Sequence, residues 1–344
     1  MNLSNPEITI NDMSSILIVG CGRVGSELTK EIISTTNGST PKIYVTDVVK
    51  ERAIKLSEFK PEFITRIKWK NAKDTPADID LIVVCVDGDS EKKLIDRIVL
   101  SKKSFMTLSD DNSIREQYCK YEETFIENGV VAILGAGLFP GLGNAIAKHL
   151  SDNFNEVHDV VVERLGFVSN ASLSSIKKAR RDQPLGLRNT LLTDSKRKNA
   201  KAYSWFVPPY DLQETAAVAT GVIQLKEQFK DARNISVRYS EPKLPTFKER
   251  VRHLVLREQL TSKNACLKVQ VTGLVKSEIQ SHIMCVKGDA LNMVCMTALE
   301  VLIEYLNSEK VASGIILCTE YIEPKVLFTK LYDRGTKFYD FAGS

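Results

Sequence analysis

For about its first 135 residues the chain alternates short apolar runs with amphipathic stretches, and then the rhythm changes. "SSILIVG" is rich in β-branched residues and ends at Gly20. "RVGSELTKEIISTT" follows with apolar positions at Val24, Leu28 and Ile32, the spacing of one helix face. The unit repeats. "KIYVTD" predicts a second strand closing at Asp47, "VVKERAIKLSEF" a helix, "FITRIKW" a third strand and "DLIVVCV" a fourth. That fourth run is continuously apolar, as a strand covered on both faces is. "EKKLIDRIVLSK" then predicts a helix, "SFMTLS" a fifth strand, "IREQYCKYEETFIENG" a helix closing at Gly129, and "VVAILG" a sixth strand. Six strands alternating with helices predict a doubly wound parallel sheet, because right-handed crossovers place helices on both faces.

Beyond Asn144 the pattern is mixed. "EVHDVVVERLGFV" predicts a strand, and residues 169–204 are polar and basic with few apolar anchors. "LQETAAVATGVIQLKEQF" predicts a helix burying Leu212, Ala216, Val218, Val222 and Leu225. "ACLKVQVTGL" and "EIQSHIMCVKG" alternate and lie close in sequence, as an antiparallel pair does. "DALNMVCMTALEVLIEYLNS" is apolar most of the way round, the mark of a buried helix. The fold class expected is α/β, a Rossmann-type doubly wound parallel sheet with a second α+β domain. The boundaries expected are 1–140 for a dinucleotide-binding domain, 141–287 for an α+β substrate and dimerisation domain, and 288–344 for a C-terminal segment returning to pack on the first.

Composition narrows the class of function. At 344 residues the chain exceeds one ordinary core of about 150 residues. Its 47 basic and 43 acidic side chains are too balanced to argue for a nucleic-acid or membrane surface, so a small-molecule partner is favoured. The seven cysteines are scattered without a C-x-x-C pair, which suggests neither a metal site nor a disulfide framework and fits a reducing cytoplasm. The N-terminal stretch "MNLSNPEITINDMSS" is polar and lacks the apolar core of a signal peptide. The longest nearly uncharged run, 130–147, contains Pro140 and four glycines, so no membrane span is expected.

"GCGRVG" matches G-x-G-x-x-G at Gly20, Gly22 and Gly25, between a predicted strand and a predicted helix, with an acid at Asp47 ending the next strand. Gly20 permits the tight turn, Gly22 lets a pyrophosphate approach the backbone, and Gly25 lets the helix pack close to the sheet. The helix N-terminus at Arg23 and Val24 then faces the phosphates. Asp47 would accept the hydroxyls of the adenine ribose and repel a 2′-phosphate, which favours NAD, while Lys50 and Arg52 nearby leave NADP open. Val86 and Asp87, after the fourth strand, complete the cofactor candidates.

A second glycine turn, "GAGLFPGLGN" at 135–144, precedes another helix-like run. Pro140 suits a first helical turn, and free amides there would receive an anionic substrate group. The competing reading is a corner whose glycines relieve crowding. With "GCGRVG" at 20–25, "FMTLSDD" at 105–111, "GAGLFPGLGN" at 135–144 and "GDALNMVCMTALEVL" followed by "ASGIILCTEYIEP", the chain resembles the saccharopine dehydrogenase family, in its saccharopine reductase-like branch. The resemblance implies an NAD(P)-dependent oxidoreductase that reduces an imine between an amine and a carbonyl compound, or runs the reverse oxidation, on amino-acid-derived substrates. A homodimer is the assembly expected. Two departures stand out: "CVDGD" ends the fourth strand where relatives carry proline or asparagine, and Gly143 stands where they often place serine or aspartate.

Hydride transfer needs no protein nucleophile, only orientation, exclusion of water and management of one proton. Asp110 and Asp111 are the candidates for that proton, although an Asp between strand and helix ordinarily caps the helix. Gly141 and Asn144 in the second turn, with Arg180 and Arg188 as bidentate carboxylate holders, are the substrate-binding candidates. "YSWFVPPY" supplies aromatic residues for a pocket wall or a dimer contact. Two other readings stay open: an NAD(P)-sensing binding module, and an enzyme-derived scaffold without activity.

Overall fold

A computed structural model describes residues 14–36, 40–166, 185–194, 202–240, 264–308 and 312–343. Along the first part run β1 (Ser15–Val19), α1 (Arg23–Thr35), β2 (Lys42–Thr46), α2 (Lys50–Ser57), β3 (Ile64–Arg66) and β4 (Leu81–Val84). Then come α3 (Gly88–Lys92), α4 (Ile95–Ser101), β5 (Phe105–Thr107), α5 (Asn112–Cys119), α6 (Glu122–Glu127) and β6 (Val131–Leu134). After an irregular turn at Leu138–Leu142 follow α7 (Gly143–Ser151), β7 (Glu156–Leu165), β8 (Leu185–Arg188), β9 (Leu191–Asp194) and β10 (Ala202–Phe206). Next are β11 (Asp211–Ala217), α8 (Val222–Gln228), β12 (Asn234–Ser240), β13 (Asn264–Val275) and β14 (Glu278–Asp289). The chain closes with α9 (Ala290–Asn307), β15 (Gly314–Leu317), α10 (Pro324–Asp333) and β16 (Lys337–Gly343).

The first sheet has seven strands in the order β15-β6-β5-β4-β1-β2-β3, and every pair in it is parallel. This is the predicted doubly wound sheet, reversing its direction of winding between β1 and β4. β1 and β4 are buried along their whole length, which is why both read as unbroken apolar runs. β15 adds a seventh strand beside β6, supplied by the "GIIL" of the C-terminal stretch.

The second sheet runs β10-β11-β12-β7-β13-β14-β16, with β8 pairing β12 and β9. β7 and β12 are parallel, whereas β13 and β14 form the predicted antiparallel hairpin, paired from Asn264↔Asp289 to Val275↔Glu278. Lys268, Glu163 and Ser204 meet on this sheet. Lys268 Nζ lies 2.9 Å from Glu163 Oε2 and 2.9 Å from Ser204 Oγ, and the Ser204 hydroxyl donates to the same carboxylate.

Two expectations are corrected here. The stretch predicted as one helix from Leu212 is the strand β11 followed by α8. Asp211–Ala217 pairs with β10, as in Trp205↔Leu212, and Gly221 at φ +72° starts the helix only after the strand has ended. "IREQYCKYEETFIENG" is likewise two helices, α5 and α6, separated at Lys120 and Tyr121.

The chain forms two compact units, Met1–Gly137 with Val294–Glu323, and Leu138–Met293 with Pro324–Ser344. The C-terminal segment therefore divides: β15 joins the parallel sheet, whereas the stretch from Pro324 belongs to the second unit because β16 pairs with β14. α9 is the one described helix long and apolar enough to cross a membrane, and 67% of it is buried inside the protein.

Candidate functional site

Parallel register builds the site's floor. Thr46, Val19, Val84, Thr107 and Leu134 pair in one row across β2, β1, β4, β5 and β6. The segments that follow them therefore leave the sheet along the same C-terminal edge, where open α/β sheets bind ligands. "GCGRVG", Asp47, the 85–87 turn, the 108–111 turn and Gly135 all lie there.

The three glycines of the first turn do different work. Gly20 has φ +99°, and a Cβ on it would stand 2.6 Å from Val86 Cγ1 and 2.9 Å from the Cys85 carbonyl oxygen. A Cβ on Gly25 would stand 1.9 Å from the Gly20 carbonyl oxygen, so the helix can approach the strand only without a side chain. Gly22 is the exception: it has ordinary φ of −73°, and a Cβ there would meet nothing within 4 Å. It caps α1 without any side-chain hydrogen bond, and the first turn of that helix carries no acid. An uncapped N-terminus with open space over its cap residue suits an anion.

Asp47 holds this turn in place. One carboxylate oxygen accepts the Cys21 amide at 2.7 Å and the other accepts the Val49 amide at 2.7 Å. A carboxylate has about four acceptor positions, so both oxygens keep capacity for a ligand hydroxyl. Cys21 beside it is buried, and burial first, then the Asp47 charge, push its thiol up to about 12 against the opposing pull of Arg52. It stays a neutral thiol. Arg23 is exposed, and the Val24 carbonyl accepts the Cys295 thiol at 3.8 Å from α9. Val86 packs over Gly20, as the glycine geometry requires, and Asp87 caps α3 by accepting the Ser90 amide at 2.9 Å.

Asp111 caps α5, accepting the Ser113 amide at 2.9 Å and its hydroxyl at 2.7 Å. Its other oxygen faces Gly88, where a Cβ would stand 2.9 Å from it. Asp110, half-buried, lies in the same turn. Sequence reasoning missed Glu91, which is fully buried on α3 against Thr107 and Tyr118. Its setting, "GDSEKK", reads as an exposed helix start, and nothing local signals burial.

In the second unit, the segment Leu138–Leu142 is helical except at Phe139, whose backbone is extended. Beyond that kink Pro140, Gly141 and Leu142 lead directly into α7 at Gly143, which agrees with Pro140 standing in a first helical turn. The ring of Phe139 explains the glycines around it: a Cβ on Gly143 would be 2.4 Å from Phe139 Cδ2, and one on Gly221 would be 2.3 Å from Cε1. This supports the crowding reading for Gly143. Asn144 is 1% exposed; its carbonyl accepts Gln228 Nε2 at 3.1 Å, while its Oδ1 has no hydrogen-bond partner among the described residues. Arg188 ends β8, exposed, before the turn into β9, and Arg180 lies outside the described residues.

The fold defines a class: a Rossmann-type doubly wound parallel sheet together with a mixed-sheet unit. No family model and no curated protein matches the chain. Among solved structures it is similar to apo saccharopine dehydrogenase (L-Glu forming) from Saccharomyces cerevisiae, with a TM-score of 0.66 and 9% identity over 96% of this chain and 100% of that one. It is also similar to homospermidine synthase from Legionella pneumophila in complex with NAD, with a TM-score of 0.61 and 12% identity over 98% and 93%. The DAP dehydrogenase of C. glutamicum, solved in complex with DAP, is similar with a TM-score of 0.50 and 12% identity over 94% of this chain and 99% of that one. At these identities the likeness is one of fold.

Proposed function

We propose that the protein is an NAD(P)-dependent oxidoreductase acting on the C–N bond of an amino-acid-derived substrate, by imine reduction or the reverse oxidation. The observation that carries this reading is the open space above Gly22 at an uncapped helix N-terminus, beside an acid ending the neighbouring strand. A pyrophosphate would be met there by the unbonded backbone amides at the start of α1. Asp47 would accept the adenine-ribose hydroxyls with its remaining lone pairs and repel a 2′-phosphate, so NAD is favoured over NADP.

A bound nicotinamide supplies the hydride chemistry; the chain's residues bind, orient and manage a proton. Asp111 caps α5 through one oxygen, and it and Asp110, in the same turn at the sheet edge, are the candidates for that proton. Asn144 is the better supported substrate contact, because a buried carboxamide oxygen left without a donor suits a ligand amine or hydroxyl. Similarity of fold to a saccharopine dehydrogenase and a homospermidine synthase supports the substrate class.

The test is turnover. NADH is mixed with the full chain and a panel of 2-oxo acids, aldehydes and amines, and its fluorescence is followed. Oxidation that requires both a carbonyl compound and an amine is the expected result. Binding of NADH without oxidation across the panel would favour a sensing module instead.

A further inference from the structure

Glu91 is fully buried, an expensive place for a carboxyl group. Both its oxygens are engaged: Thr107 Oγ1 lies 2.8 Å from Oε2 and the Tyr118 hydroxyl 3.1 Å from Oε1. The charged groups facing it are Asp87 at the start of its own helix and Asp111 at the start of α5, and the Cys85 thiol after β4 lies near it. From Thr107 the connections run to the edge of the sheet. Thr107 Oγ1 accepts the Ser109 amide at 3.1 Å, and Ser109 Oγ accepts the Asp111 amide at 3.3 Å. The Thr107 carbonyl accepts the amides of Gly135 and Ala136, each at 2.9 Å. One buried acid is thus joined, through one threonine, to two of the segments that border the C-terminal edge.

We propose that Glu91 is a positioning residue for the dinucleotide site, fixing through Thr107 the 108–111 turn and the start of the Gly135 turn on which the cofactor would rest. The proposal builds on the dinucleotide reading above. Burial, reinforced by Asp111 and Asp87, raises the Glu91 carboxyl to about 8, so at neutral pH it is a neutral hydrogen-bonding post. When it ionises, its charge is set against those two carboxylates, and the turn beginning α5 is pushed away.

The experiment uses the full chain in three forms, wild type, Glu91→Gln and Glu91→Ala, at pH near 6.5 and 9. Two quantities are read: amide-exchange protection of 109–111 without ligand, corrected for intrinsic rate, and the Kd for NADH. For the wild type, protection should fall and the Kd should rise, each about tenfold, at the higher pH, the ratio set by one unit above a carboxyl value near 8. Glu91→Gln, permanently neutral, should hold both nearly constant, and Glu91→Ala should lose protection at either pH. If Glu91→Ala does not fold, Glu91→Gln alone decides. A Glu91→Gln protein whose protection falls with pH as the wild type's does overturns the proposal. Protection that behaves as expected in a protein binding neither NADH nor NADPH sinks the dinucleotide reading and confines Glu91 to shaping the turn.

Discussion

Gly20, Gly22 and Gly25 look alike in "GCGRVG", yet the backbone asks different things of them. Gly25 must lack a side chain because the Gly20 carbonyl occupies the place of its Cβ, whereas Gly22 faces open space. Gly25→Ala should therefore cost about 1–3 kcal/mol, the usual range for overpacking, since the obstacle is backbone and cannot swing aside. Gly22→Ala should change stability by less than about 1 kcal/mol. Thermal melts of the two variants check this, and equal losses would contradict the division of roles. The motif was legible because its spacing is local. The two bonds by which Asp47 holds Cys21 and Val49 were not, because the first depends on β1 and β2 lying side by side. Glu91 was invisible for the same reason: its burial comes from Thr107 and Tyr118, 16 and 27 residues away in sequence.

At the scale of elements, the parallel sheet could be read from sequence since its central strands β1, β4, β5 and β6 are buried throughout and the helices between strands show their own periodicity. The second sheet was harder. β11 carries Leu212, Ala216 and Ala217 at spacings that also fit a helix, and only its pairing with β10 and β12 decides the matter. The ion pair on that sheet was equally hidden, as Glu163 and Lys268 come together only through the β7–β13 register. Both side chains are largely buried, at 9% and 16% exposure. Lys268→Met should leave Glu163 uncompensated and destabilise the protein by about 3–5 kcal/mol. Adding Glu163→Leu should recover most of that loss, because a well-packed apolar pair has no charge to desolvate. Urea unfolding of the single and double variants measures it; a single variant as stable as the wild type would show that the pair is solvated.

Across the whole molecule, the chain builds the parallel unit first, then the mixed sheet, and afterwards contributes to each once more. β15 extends the first sheet and β16 the second. The division at Pro324 was not legible, since β16 has no neighbour in sequence that announces its pairing with β14. The functional account depends on the parallel unit alone for its cofactor. Calorimetric titration of the full chain with NADH and NADPH, repeated on Gly22→Asp, tests it most directly. The account predicts that the wild type binds NADH more tightly than NADPH, and that Gly22→Asp binds neither while melting at the wild-type temperature. A Gly22→Asp protein that binds as the wild type does, or a wild type that binds neither nucleotide, would contradict it.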